Sequence, residues 1–175
     1  MSPVRRRGFS RCMAIPIRHS DPCSIRAPFR TFFVSTSSWQ SKYLFQSHRM
    51  AGLLSEVILR YRDSGKYQLH EFVIMPNHLH VLLTLTPEIS IEKAVQFIKG
   101  GFSFRAKREL GFASEIWHRG FSEVRISGEE AYLARKRYIH ENPVRARLVS
   151  AASEWEYGSA RPGFKLDPFP EYLRG

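Results

Sequence analysis

Hydrophobic positions change period several times along the chain, and each change marks an element. Residues 29–36 (FRTFFVST) are dense in aromatic and β-branched side chains and predict a strand. Leu53, Leu54, Val57, Ile58 and Tyr61 then recur three and four apart, the stripe of an amphipathic helix, with Gly65 placed to stop it. Residues 67–75 (YQLHEFVIM) and 78–86 (HLHVLLTLT) predict two further strands joined through a Pro76-Asn77 turn. Ser90 is placed to cap a helix carrying Ile91, Ala94, Val95 and Ile98, which Gly100-Gly101 should weaken or kink. Residues 115–126 (EIWHRGFSEVRI) predict another strand with an irregular middle. Glu129 and Glu130 suit a helix N-terminus, and this last helix should run through Tyr138 to Asn142, since Pro143 pushes the residue before it out of helical geometry. Beyond Gly158, Pro162, Gly163, Pro168 and Pro170 predict an irregular tail, assigned to residues 161–175.

Strands mixed with helices around a tight strand-turn-strand predict an α+β fold: an antiparallel sheet with helices packed on one face. No repeat or low-complexity tract interrupts it. The chain has 175 residues, 43% of them hydrophobic, which suits a single domain with a real core.

Charge changes the picture. Lys and Arg number 27 against 16 Asp and Glu, a net charge of +11, which is the footprint of a polyanion partner such as nucleic acid. Residues 1–28 hold Arg5, Arg6, Arg7, Arg11, Arg18 and Arg26 with one acid, Asp21, and read as a basic, flexible extension: a DNA-binding arm, or the product of a start codon taken too early. The same stretch has no apolar run of signal-peptide length, and no window of the chain is apolar enough to span a membrane. Cys12 and Cys23 are too few for a disulfide framework and lack zinc-finger spacing, so a reducing, cytoplasmic setting in association with the nucleoid is expected.

Two local patterns carry chemistry. In His78-Leu79-His80 the strand alternation sends both imidazoles to one face while Leu79, Val81, Leu83 and Leu85 point to the other. That is a platform for a metal, or an ordinary polar face. On the last helix Arg135, Tyr138 and Asn142 share one stripe, placing a guanidinium, a phenol and an amide oxygen together. Such a set suits phosphoryl chemistry; alternatively Tyr138 is a half-buried core aromatic and Asn142 a helix cap.

Taken together, FVIMPNHLHVLLTL, IWHRGFSEVRI and YIHENPVRARLV resemble the single-tyrosine HUH transposases, most nearly the REP-associated tyrosine transposases, across residues 29–160. The resemblance implies a ferredoxin-like antiparallel sheet. It implies that His78 and His80 bind a metal, Mg²⁺ or Mn²⁺, that Asn142 occupies the place of a third ligand, and that Tyr138 is the nucleophile. Metal-dependent nicking and strand transfer of single-stranded or hairpin DNA through a 5′-phosphotyrosine would follow. Arg135, Lys136, Arg137, Arg145 and Arg147 are the expected DNA-binding residues, with Trp117 and Phe121 as candidate base-stacking rings and His118, His140 and Glu123 as candidate helpers. Family dimers can exchange the tyrosine helix, so a homodimer is a further expectation. Competing readings are a replication or conjugation initiator, a non-catalytic nucleic-acid-binding module and an inactivated relic. Residues 1–28 fall outside the family pattern.

Overall fold

In the computed structural model, which describes residues 29–174, seven elements follow one another: β1 (Arg30–Ser37), α1 (His48–Asp63), β2 (Gln68–Met75), β3 (His78–Leu85), α2 (Ile91–Leu110), β4 (Ser122–Ile126) and α3 (Glu129–Arg145). The basic extension, with Cys12 and Cys23, lies outside the described residues. The four strands form one antiparallel sheet in the order β2-β3-β1-β4, the α+β, ferredoxin-like arrangement expected. Among the described residues no helix is long and apolar enough to cross a membrane.

The central strands are apolar on both faces, so both faces must be covered. Leu79, Val81, Leu83 and Leu85 face α1 and α2 and pack with Leu54, Ile58, Ile98 and Phe102 in the main core. On the opposite face Phe33, Val73, Met75 and Leu82 form a second apolar layer with Tyr132 and Ile139 of α3. The expectation of helices on one face therefore holds for α1 and α2, whereas α3 crosses the other side.

Three elements depart from the sequence reading. First, α2 runs unbroken through Gly100-Gly101. The Lys93 N–H donates to the Ser90 hydroxyl at 3.2 Å, capping the helix as predicted, and packing on both sides of the glycine pair holds it straight. Gly101 lets α1 come close, since a Cβ there would lie 2.6 Å from Cε2 of Tyr61. Second, α3 passes through Pro143 and ends at Arg145. Pro143 is buried and forfeits only its own N–H bond, while Ala146 N–H still donates to the Asn142 carbonyl at 3.0 Å. Third, the predicted fourth strand forms a ladder with β1 only over residues 122–126, and Trp117 adds a single isolated bridge to Ser38. The consecutive apolar side chains of Ile116 and Trp117 both enter the main core, which an alternating strand forbids, and Gly120 turns the chain at φ +76°.

The tail is irregular yet fixed. It borders β2, where Ile74 N–H donates to the Tyr157 carbonyl at 2.8 Å, Ser159 N–H to that of Phe72 at 2.9 Å, and Asp167 N–H to that of Leu69 at 2.8 Å. An open sheet edge is thereby covered.

The glycine pair yields a paired prediction. Gly101→Ala should destabilise the protein by about 1–2 kcal/mol, because the Tyr61 ring must leave its stack on Phe97. Gly100→Ala, whose Cβ would meet only Gln96 at 4.0 Å, should instead stabilise by up to about 1 kcal/mol through helix propensity. Urea unfolding of both variants reads the difference in sign.

Candidate functional site

Strand alternation places His78 and His80 on the α3 side of β3, their ring centroids 4.8 Å apart. Across the β1 ladder they face Ser37 and Ser35, small residues that leave this end of the sheet open. Above them lies the predicted stripe of α3. The Tyr138 ring stands 5.3 Å from His80 and 5.8 Å from Phe33, Phe33 stacks on His80 at 5.2 Å, and the Arg135 guanidinium lies 5.0 Å over the Phe33 ring. Asn142, one turn beyond Tyr138, hydrogen-bonds the His78 side chain. The fold thus brings His78 and His80 of β3 together with Arg135, Tyr138 and Asn142 of α3, site residues at least 55 positions apart in sequence (135 − 80).

The two imidazoles differ in environment. His80 is only 5% exposed, and neither of its ring nitrogens has a hydrogen-bond partner among the described residues. Burial, reinforced by the positive charges of His78 and Arg135, pushes its pKa down to about 3. A buried polar group left without a partner costs about 1–3 kcal/mol, so this neutral ring keeps an unused lone pair that a cation could take. Burial also lowers the pKa of His78, partly opposed by the hydrogen bond to Asn142. Its Nδ1–H donates to Oδ1 of Asn77 at 2.7 Å, which orients the ring and makes Nε2 the atom that a cation would take. No cluster of three or more His, Cys, Asp or Glu occurs among the described residues. The donor set is therefore two neutral imidazoles and one amide, which fits a divalent cation that takes its remaining ligands from water or phosphate oxygens.

A buried carboxylate holds α3 over this face. The β2–β3 register shifts between Leu69 and Glu71, a bulge at His70 that turns Glu71 toward α3 instead of the main core. Glu71, 3% exposed, accepts from Lys136 Nζ at 2.6 Å, from His140 Nε2–H at 2.7 Å and from the Ser159 hydroxyl at 2.6 Å. Burial opposes its ionisation, but the three hydrogen bonds outweigh that and hold its pKa below the usual carboxylate range. Neither Glu71 nor its bulge was visible as a functional feature in the sequence; an acid in an otherwise apolar strand was the one available signal.

The remaining expected residues divide by position. Arg125, Arg135, Arg137, Arg145 and Tyr138 line a cleft of about 420 Å³ between β4 and α3. Lys136 is engaged by Glu71, Arg145 pairs with Glu141 at 2.6 Å, and Arg147 is exposed. Trp117 and Phe121 are not exposed stacking rings. Trp117 is 8% exposed between Phe45 and Phe102 and donates Nε1–H to the Lys99 carbonyl, while Phe121 packs against the same core. Of the candidate helpers, His140 is spent on Glu71, Glu123 sits opposite Val34 on the α1/α2 face, and His118 is exposed beyond the end of β1, its backbone N–H bonded to the Ser37 carbonyl.

Comparison with known proteins gives consistent results. A family model described as "Transposase IS200 like" matches residues 29–142, more than half of the chain. A curated relative from Haemophilus influenzae, named a REP-associated tyrosine transposase, is 26% identical over 141 residues, covering 70% of this chain and 80% of the relative. A solved REP-associated tyrosine transposase bound to a REP hairpin superposes with a TM-score of 0.63 at 21% identity, covering 98% of this chain and 93% of that one. A structure assigned as a transposase from Deinococcus radiodurans gives a TM-score of 0.50 at 16% identity over 70% of this chain and 95% of its own.

The Glu71 clamp predicts a pH-dependent stability term. A carboxylate with a depressed folded pKa stabilises the fold above its unfolded value, ~4.3, and loses that contribution as pH falls through the folded value. Glu71→Gln should therefore cost about 2–4 kcal/mol at pH 7, and the gap to the unaltered protein should narrow steadily below about pH 4. Urea unfolding across that range measures it; a gap independent of pH would remove the ionic role.

Proposed function

The chain belongs to the IS200-like transposase family, and we propose that it nicks single-stranded DNA beside a hairpin and transfers the cut strand through a 5′-phosphotyrosine on Tyr138. The observation that carries this reading is the convergence of Tyr138 and Asn142 from α3 on the two imidazoles of β3, one of them without a hydrogen-bond partner among the described residues. The hairpin bound by the structural relative supports the substrate class.

In this reading the Tyr138 oxygen attacks the scissile phosphorus and the bond to the preceding 3′-oxygen breaks. The phenolic proton passes through solvent to the departing oxygen, leaving a 3′-hydroxyl and a phosphotyrosine. The bond energy stays in the covalent link, so a 3′-hydroxyl can later reverse the step without a nucleotide cofactor. Arg135, beside Tyr138 and over Phe33, would pair with a phosphate oxygen. His78, His80 and Asn142 would hold a divalent cation, Mg²⁺ or Mn²⁺, which when bound supplies Lewis-acid polarisation of the phosphate. Two imidazole donors match Mn²⁺ better than Mg²⁺.

DNA backbone contacts are assigned to Arg135, Arg137, Arg145 and Arg147, with Lys136 at the margin because Glu71 engages it. The distinction is measurable. Arg137→Ala should weaken hairpin binding and reduce the slope of log affinity against log salt by about 1, whereas Lys136→Ala should change that slope less and lower stability instead.

Tyr138→Phe should abolish the covalent protein–DNA adduct, a loss of about a thousandfold or more, while hairpin binding persists. A denaturing gel of labelled hairpin DNA with Mn²⁺ reads this directly, and an adduct of undiminished yield would sink the nucleophile assignment. The double variant His78→Ala, His80→Ala should lose Mn²⁺ binding in calorimetry without DNA; unchanged affinity would remove the metal role.

A further inference from the structure

The three non-glycine residues with positive φ among the described residues are Gln40 (53°), Ser41 (53°) and Arg147 (58°). All three adjoin segments that border one cleft. Strained backbone of this kind costs about 1–3 kcal/mol per residue and gathers at ligand clamps. The cleft, about 300 Å³, is lined by Tyr43, Met75, Pro76, Asn77, His78 and Leu148, among others.

The loop that carries Tyr43 is pinned. Ser38 N–H donates to the Asn77 carbonyl at 2.9 Å, the Ser38 hydroxyl to that of Lys42 at 2.6 Å, and Phe45 N–H to that of Pro76 at 2.9 Å. Phe45 is buried against Trp117 and Phe102. Yet Tyr43 itself is 67% exposed, and Leu148 across the cleft is 42% exposed. An anchored backbone thus holds an aromatic ring largely in water at the mouth of the cleft.

Composition identifies the occupant. The cleft between β4 and α3 is rich in arginine and suits phosphates, whereas the described residues that line this one include no lysine, arginine, aspartate or glutamate. It offers an aromatic face, apolar walls and the amides of Gln46 and Asn77, and its His78 wall makes it continuous with the proposed reaction site. Building on the nicking reading, we propose that this cleft receives the unpaired nucleobase of the nucleotide joined to the phosphate at His78 and His80, with Tyr43 stacked on its face. Asn77, hydrogen-bonded to His78, then links base capture to the orientation of a metal ligand.

The test uses the uncleaving Tyr138→Phe protein and hairpin DNA with a single-stranded tail carrying a fluorescent purine analogue at successive positions. Quenching is expected at one tail position, lost when Tyr43→Ala is added, with binding weakened roughly 5- to 100-fold by loss of one stacked base. Equal quenching with and without Tyr43, or none at any position, overturns the proposal. So does a dimer that Tyr43→Ala dissolves in the absence of quenching, which would assign the cleft to a second copy of the chain. The nicking reading is judged separately, by adduct formation with Tyr138 intact. An adduct without Tyr43-dependent quenching sinks the base subsite alone; quenching without an adduct sinks the nicking reading and leaves the cleft a base-binding site.

Discussion

Glu71 is the interaction on which the candidate site rests, because it ties α3 to the sheet at the stretch of helix that holds Tyr138. The carboxylate is buried, and a buried charge is tolerable only when its hydrogen-bonding capacity is met. Lys136 and His140, on either side of Tyr138 in sequence, meet it from α3, and Ser159 meets it from the tail. The helix is thus fixed in register as well as in proximity. A shift by one residue would strip Glu71 of its partners and swing Tyr138 away from His80. Apolar packing of Tyr132 and Ile139 supplies attraction without that directional control.

β3 serves two faces at once. Leu79, Val81, Leu83 and Leu85 close the main core against α1 and α2, and its histidines stand at the opposite face, at the end of the strand where the sheet opens between Ser35, Ser37 and α3. A site on the middle strands of a sheet gains rigidity from hydrogen-bonded neighbours on both sides, which suits reacting groups that must be held closely in place. On one side of the histidines lies an arginine-lined cleft and on the other an uncharged one with an exposed tyrosine. That division matches the backbone and the base of the single strand proposed to bind there.

Much of this was legible from residue pattern. The first three strands and their turn follow from β-branched runs and Pro76-Asn77, and the Ser90 cap and Gly65 stop bound two of the helices where expected. The His78/His80 pair and the Arg135, Tyr138, Asn142 stripe were each visible as a periodicity: two in a strand, three to four in a helix. Less legible was anything depending on a neighbour distant in sequence. Gly101 reads as a helix weakness until Tyr61 of α1 is seen against it, and Pro143 reads as a stop until its burial is seen. Trp117 reads as a stacking ring until Phe45 and Phe102 enclose it.

By itself, then, the sequence determined the elements and which side chains share a face, because both follow from local backbone geometry with fixed periods. Tertiary structure decided which face meets which. α3 lies on the histidine side because the central strands are apolar on both faces, and one helical layer cannot cover two. Glu71 points to α3 because a bulge at His70 breaks the alternation that would have sent it into the main core. No local rule announces such a bulge. It persists because three hydrogen-bond donors, two from α3 and one from the tail, satisfy a carboxylate that would otherwise be buried alone.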